Sequence, residues 1–238
     1  MRIVGDVDCN TCEYLASCLC SRCYHSHDLK DYYEEASTEE LKQRQRDEQQ
    51  RIEDALCDQF IELQKTQEFT EVFCKAKSIL EDCPYPKYLT IFAEDKSILA
   101  CDGYMLCQLF CDVPEPLRGT KLVKLVNDGV FISKNSQSLW DTNMECVLSL
   151  LRPKPEQQRP YNASEIKKED EDAIFSFVDL DGKPLLLRMR TKYLENAVDI
   201  LGEELLIGIG SRPDHFIPNY FIFENSKGRI IICPKSKA

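Results

Sequence analysis

Cys9-x2-Cys12 and Cys20-x2-Cys23 are the residues whose type and spacing most directly imply chemistry. In each pair the tight turn lets backbone amides donate to both sulfurs, and four thiolates complete a tetrahedral zinc shell. The surrounding 1–30 stretch is short of large aliphatic residues. It cannot fold by burial alone, so a bound zinc would supply the missing free energy. Cys18, His25 and His27 are further ligands within reach, and the exact set stays open. An iron–sulfur cluster or unliganded thiols are the other readings of the same cysteines. No Glu-flanked His motif accompanies them, which argues against a catalytic zinc.

Other candidates read as structure. Asp179-x-Asp181-Gly182 has calcium-like carboxylates, but no Glu closes a loop of suitable length, so the stretch reads as a hairpin turn. Cys101-Asp102-Gly103 places a thiol beside a turn. The only distant histidine is His215, and nothing in the pattern would activate the sulfur. The nine glycines fall singly, without a phosphate-binding loop. An enzyme is therefore not indicated.

The elements that must carry these residues follow from pattern and charge. The 238 residues are 43% hydrophobic and 30% charged, a globular balance that excludes a disordered or fibrous chain. No run of eighteen apolar residues occurs, and the N-terminus lacks a signal-peptide pattern. The thirteen cysteines then imply an intracellular, reducing, cytoplasmic setting rather than a disulfide framework. The net charge is −11 and unevenly spread: residues 1–65 hold 8 basic and 15 acidic residues, residues 66–238 hold 22 and 26. Three parts are expected: a Cys-rich zinc arm at 1–30, an acidic amphipathic helix within 31–65, and an α+β domain from 66 to 238.

Leu41, Ile52, Leu56, Phe60 and Leu63 recur near a 3.6 period and predict a helix over 37–64. Phe69, Val72, Phe73, Ala76, Ile79 and Leu80 predict another over 67–81, stopped by Pro84 and Pro86. Strands follow at Tyr88–Ala93, Ser97–Cys101 and Tyr104–Phe110, the last pair joined by Asp102-Gly103. Val130–Ser133 reads as a strand, and Leu139–Leu151 is apolar without a clear period. Residues 152–172 are rich in Pro, Gln and charge and read as a loop or linker. Strands at Ile174–Val178 and Leu185–Met189 precede a helix at Tyr193–Leu201, closed by Gly202. Strands at Leu205–Ile209, Asn219–Phe223 and Arg229–Cys233 complete the pattern.

Lys96-Ser-Ile-Leu-Ala-Cys-Asp-Gly-Tyr-Met-Leu106 resembles the Ala-Thr-Asp-Gly-His-Arg-Leu hairpin of bacterial DNA sliding clamps, the DNA polymerase III beta subunit. Asp181-Gly-Lys-Pro-Leu-Leu-Leu-Arg-Met-Arg-Thr-Lys-Tyr-Leu-Glu-Asn-Ala-Val-Asp-Ile-Leu201 resembles the last βα unit of that family. Arg229-Ile-Ile-Ile-Cys-Pro234 is similar to its terminal strand. The resemblance covers residues 66–111 and 171–235. Cys101, Tyr104, Met105 and Cys233 depart from the family's Thr, His, Arg and Met. The chain is too short for the three domains of a bacterial clamp subunit, so the resemblance implies one clamp-like domain of two βαβββ units.

The resemblance further implies a non-catalytic accessory factor of DNA replication or repair, closing around duplex DNA as a homo-oligomer. Lys75, Lys77, Arg188, Arg190 and Lys192 are the matching candidates for weak, sequence-independent phosphate contacts. Tyr104, Leu106, Ile232, Cys233 and Pro234 match the family's pocket for partner proteins carrying short apolar peptide motifs. All ten are equally readable as solvated or core residues. The rival reading is a zinc-containing interaction adaptor, in which the acidic helix recruits a protein and no DNA is touched.

Overall fold

A computed structural model describes residues 38–81, 83, 85–135, 137–178, 182–210 and 220–235. The chain divides into two compact parts, residues 1–54 and 55–238. The first ends within helix α1 (Thr38–Leu56). Its outward side chains pair along the helix, Gln43 to Asp47 at 2.7 Å and Gln50 to Asp54 at 2.8 Å. Such i,i+4 pairs support a helix whose surface is mostly polar. The helix expected over 37–64 stops early. Cys57 and Asp58 leave it, and Gln59–Glu62 becomes strand β1, paired with Gly129–Ile132. Asp58 fixes the switch, accepting from Lys134 N at 2.8 Å and from Ser133 Oγ at 3.3 Å. Phe60 and Ile61, read as helix positions, are strand positions: packing against a sheet outweighed a four-residue extension of helical period.

The second part is α+β, and its plan is a βαβββ unit made twice. The first unit is β1, α2 (Gln67–Ser78), β2 (Ile91–Ala93), β3 (Ser97–Cys101) and β4 (Met105–Phe110). A hairpin follows, β5 (Lys121–Val126) and β6 (Gly129–Ser133), then two short helices, α3 (Leu139–Thr142) and α4 (Met144–Leu151). Next come β7 (Glu156–Pro160), β8 (Lys167–Glu169) and β9 (Asp172–Val178). The second unit is β10 (Pro184–Arg190), α5 (Thr191–Leu201), β11 (Leu206–Gly210), β12 (Tyr220–Asn225) and β13 (Gly228–Ile232). One ten-stranded sheet runs β1-β6-β5-β2-β3-β4-β13-β12-β11-β7, and a three-stranded sheet runs β10-β9-β8. The stretch 152–172 is thus no linker: it holds β7 and β8. Its charged residues mark edge strands rather than absence of structure, since an edge strand tolerates polar side chains and proline.

The units join where their last strands pair, β4 against β13, from Met105↔Ile232 to Leu109↔Gly228. Gly228 allows this approach, because a Cβ there would stand 2.4 Å from the Gln108 carbonyl oxygen. Alternation along the strands gives each face its own core. Ile98, Ala100, Met105, Cys107, Ile230 and Ile232 bury one face with Phe69, Phe73 and Ala76 of α2 and Leu194 and Ala197 of α5. Leu99, Leu106, Ile222 and Ile231 bury the other with Leu139, Trp140, Val147 and Leu151 of α3 and α4. Trp140 also donates its indole N–H to the Thr90 carbonyl at 2.8 Å. Burial on both sides explains why these strands read as nearly unbroken apolar runs.

Local signals place the ends. Thr66 caps α2, its hydroxyl accepting from Phe69 N at 3.1 Å. Gly202, at φ 90°, ends α5. Among the described residues, no helix is long and apolar enough to cross a membrane.

Candidate docking surface at the β4–β13 strand end

The Asp102-Gly103 turn sits where β3 hands over to β4. Asp102 Oδ1 accepts from Tyr104 N at 2.8 Å and Met105 N at 2.7 Å, the local bonding that favours aspartate in turns. Gly103 takes φ 97°, with the Tyr88 ring 3.2 Å from where a Cβ would stand. Beside this turn the chain leaves β13: Cys233 N donates to the Tyr104 carbonyl at 2.9 Å, and Lys235 N to the Arg188 carbonyl at 2.7 Å. Lys235 Nζ holds the Asp172 carboxylate at 2.9 and 3.0 Å. The strand end is therefore built from both units, the first turn of α5 and the segment 233–235.

Aromatic rings dominate it. Tyr104 is 59% exposed, and its ring centroid lies 6.2 Å from that of Tyr193 on α5. Tyr85, 51% exposed, meets Tyr88 edge-on at 6.1 Å. Lys87 Nζ lies 4.7 Å from the Tyr88 ring centre, and Lys192 Nζ 5.2 Å from that of Tyr193. Burial, then the Asp102 carboxylate, pushes the Tyr193 phenol above its ordinary value.

Burial disfavours the thiolate form of the nearby sulfurs. Burial pushes the Cys101 thiol up to about 12, with the Asp102 carboxylate adding to the shift, and burial also raises Cys83. The thiolate is the nucleophilic form, so burial of this kind works against reactivity. His215, its conceivable partner, lies outside the described residues.

The ten transferred positions divide. Of the expected pocket, Tyr104 and Cys233 are exposed and Pro234 is half-buried. Leu106, 4% exposed, packs under α3 and α4, while Ile232, 0% exposed, lies in the core beneath α2 and α5. They cannot wall one groove, because Ile232 pairs with Met105 and Leu106 pairs with Ile231, so pleating sends the two side chains to opposite faces. The five residues meet at one strand end without forming the apolar pocket.

Of the expected phosphate contacts, Lys75 donates to the Ile200 carbonyl and Lys77 to the Val123 carbonyl, each at 3.1 Å. Arg188 pairs with Glu169 at 3.2 Å. Arg190 and Lys192 are exposed at the start of α5. The outward sides of the two helices also present Glu68, Glu71, Glu195 and Asp199, so their surface is not basic. Cys9, Cys12, Cys20 and Cys23, with Cys18, His25 and His27, lie outside the described residues, as do Asp179 and Asp181. Among the described residues, no group of three or more His, Cys, Asp or Glu is placed to hold a metal. Sequence reasoning missed Tyr85, Lys87, Tyr88 and Tyr193. The Tyr85-Pro-Lys-Tyr88 spacing was the available signal, since a proline turn presents both rings.

No family model matches the chain, and no curated protein does. Solved structures similar to it include bacterial sliding clamps. The beta clamp of Helicobacter pylori, solved bound to a DNA ligase peptide, is 13% identical with a TM-score of 0.44, covering 74% of this chain and 65% of that one. A putative DNA polymerase III beta subunit from Eubacterium rectale is 11% identical with a TM-score of 0.36, covering 76% and 66%. The sliding clamp of Bacillus subtilis is 13% identical with a TM-score of 0.31, covering 80% and 63%. The chain thus spans under two thirds of the length of each.

Proposed function

We propose that the chain works without chemistry of its own, as a clamp-like accessory factor of DNA replication or repair. Copies of it would close around duplex DNA, and partner proteins would dock at the Tyr104–Cys233 strand end. The observation that carries this reading is the doubled βαβββ unit, joined through β4 and β13 with α2 and α5 on one face of the sheet. That is the layout implied by the resemblance of residues 96–106 and 181–201 to the clamp family. Burial disfavours the thiolate at Cys101 and Cys83, which argues against a cysteine nucleophile at the strand end. Phosphate contact would fall to Arg190 and Lys192 rather than to α2, whose lysines are held on carbonyls.

Glu68, Glu71, Glu195 and Asp199 favour a second reading, the interaction adaptor without DNA. Topology separates the two. A ring is retained on closed circular duplex DNA and slides off once the circle is cut. The clamp reading expects a solution mass of several chains and retention lost on linearisation. A monomer that elutes apart from both DNA forms would leave the adaptor.

A further inference from the structure

We propose that the strand end around Tyr104 binds an unpaired nucleic-acid strand, stacking bases on Tyr104 and Tyr85 while cations at its two ends hold phosphates. The site does not depend on ring closure.

The rings form one string. Tyr85 touches Tyr88, the Tyr88 ring lies beside Gly103, and the next residue, Tyr104, lies against Tyr193. A side chain at 103 would push Tyr88 away, and φ 97° already restricts that position to glycine-like residues. The two inner rings back the two outer ones, which expose about half their surface. A tyrosine has few torsions to immobilise, so an exposed ring held from behind is a ready platform for a flat partner. Unpaired bases offer such faces and duplex DNA hides them.

Charge fits the same occupant. Lys87 stands at the Tyr85–Tyr88 end, and Arg190 and Lys192 stand at the Tyr104–Tyr193 end. The carboxylate between them, Asp102, is turned into its own loop by the Tyr104 and Met105 amides and lies beside the Tyr193 hydroxyl. Cations at both ends of an aromatic string suit a partner with regularly spaced negative charges and flat faces between them. Leu106 and Ile232, the aliphatic side chains at this strand end, are in the core, so what the surface offers a partner is ring faces and cations.

Fluorescence anisotropy of a labelled oligothymidylate, titrated with the full chain, tests this. The Tyr104→Ala variant should bind about tenfold more weakly and Tyr104→Phe like the parent, since stacking needs the ring and not the hydroxyl. Tyr85→Ala gives the same reading should Tyr104→Ala fold poorly. An abasic oligomer with the same phosphates should bind about tenfold more weakly than oligothymidylate. Lys87→Gln should lower the slope of log affinity against log salt by about 0.7. Parent-like affinity in both alanine variants, or equal binding of the abasic oligomer, overturns the proposal. So does a poly-glutamate peptide that binds through Tyr104 when oligothymidylate does not. Retention on circular duplex is read separately, so this site and the ring fail independently.

Discussion

Lys75 of α2 donates its ammonium to the carbonyl of Ile200, in the last turn of α5, at 3.1 Å. The bond crosses between the two βαβββ units and satisfies a helix-end carbonyl that its own helix leaves unpaired. A cation at a helix C-terminus also meets the negative end of the helix dipole.

Lys75 is therefore a stabilising residue. Lys75→Met should cost about 0.5–1.5 kcal/mol, a fall of a few degrees in melting temperature. Its effect on duplex binding should be negligible. Unchanged stability with weakened DNA binding would return Lys75 to the phosphate contacts.

Leu106 and Tyr104 should part company when shortened. Leu106→Ala should cost about 2–5 kcal/mol, as for a leucine enclosed by Leu99, Trp140 and Ile231. Tyr104→Ala should stay within about 0.5 kcal/mol of the parent, because its ring is largely in water. Denaturant melts of both variants give the comparison. The opposite order would restore the apolar pocket.

Asp141 should make α3 sensitive to acid. Burial alone would raise its carboxyl, but bonds from Lys121 at 2.6 Å and Ser138 at 2.5 Å outweigh this and hold it below the usual range. A folded value below the unfolded one, about 3.9, gives stability that is full above that pH. It fades as pH falls through the folded value. Asp141→Asn should cost about 1 kcal/mol at neutral pH, and the gap to the parent should close as acid protonates the parent's carboxyl. A gap that stays constant from neutral to acid pH would mean that the ion pair with Lys121 contributes nothing.

The zinc proposed for Cys9, Cys12, Cys20 and Cys23 should appear as about one metal per chain in elemental analysis. Cys12→Ser should release it while the sheet domain melts as before. Purified protein that carries no zinc would end the proposal.

Much of the fold was legible because its signals are local. Ser97–Cys101 appears with the bounds expected of it, since Asp102-Gly103 ends it and apolar residues fill it. Gly202 closes α5 as read. Lys121–Val126 was missed: its lysines and its bulge between Leu122 and Lys124 blur the period of two. Leu139–Leu151 resisted because α3 and α4 break at Asn143, leaving neither long enough to show a helical period. The site was legible only as a place. Residues 104 and 233 meet there through the Cys233 N to Tyr104 carbonyl bond, but which face each side chain takes depends on a register between strands far apart in the chain. That register put Leu106 in the core and left the tyrosines as the surface.

The β4–β13 seam also dictates an order of assembly. The two innermost edges of the large sheet come from segments separated by most of the domain. Until residues 228–232 return, β4 is a naked edge, with Met105, Cys107 and Leu109 on one side of it and Leu106 on the other. Pairings this distant are slow to find, because the loop must close before any contact repays its entropy. For that interval the first unit is a template for any passing strand, including β4 of a second copy. Refolding yield should therefore fall with protein concentration even though the finished molecule leaves neither strand an open edge at the seam.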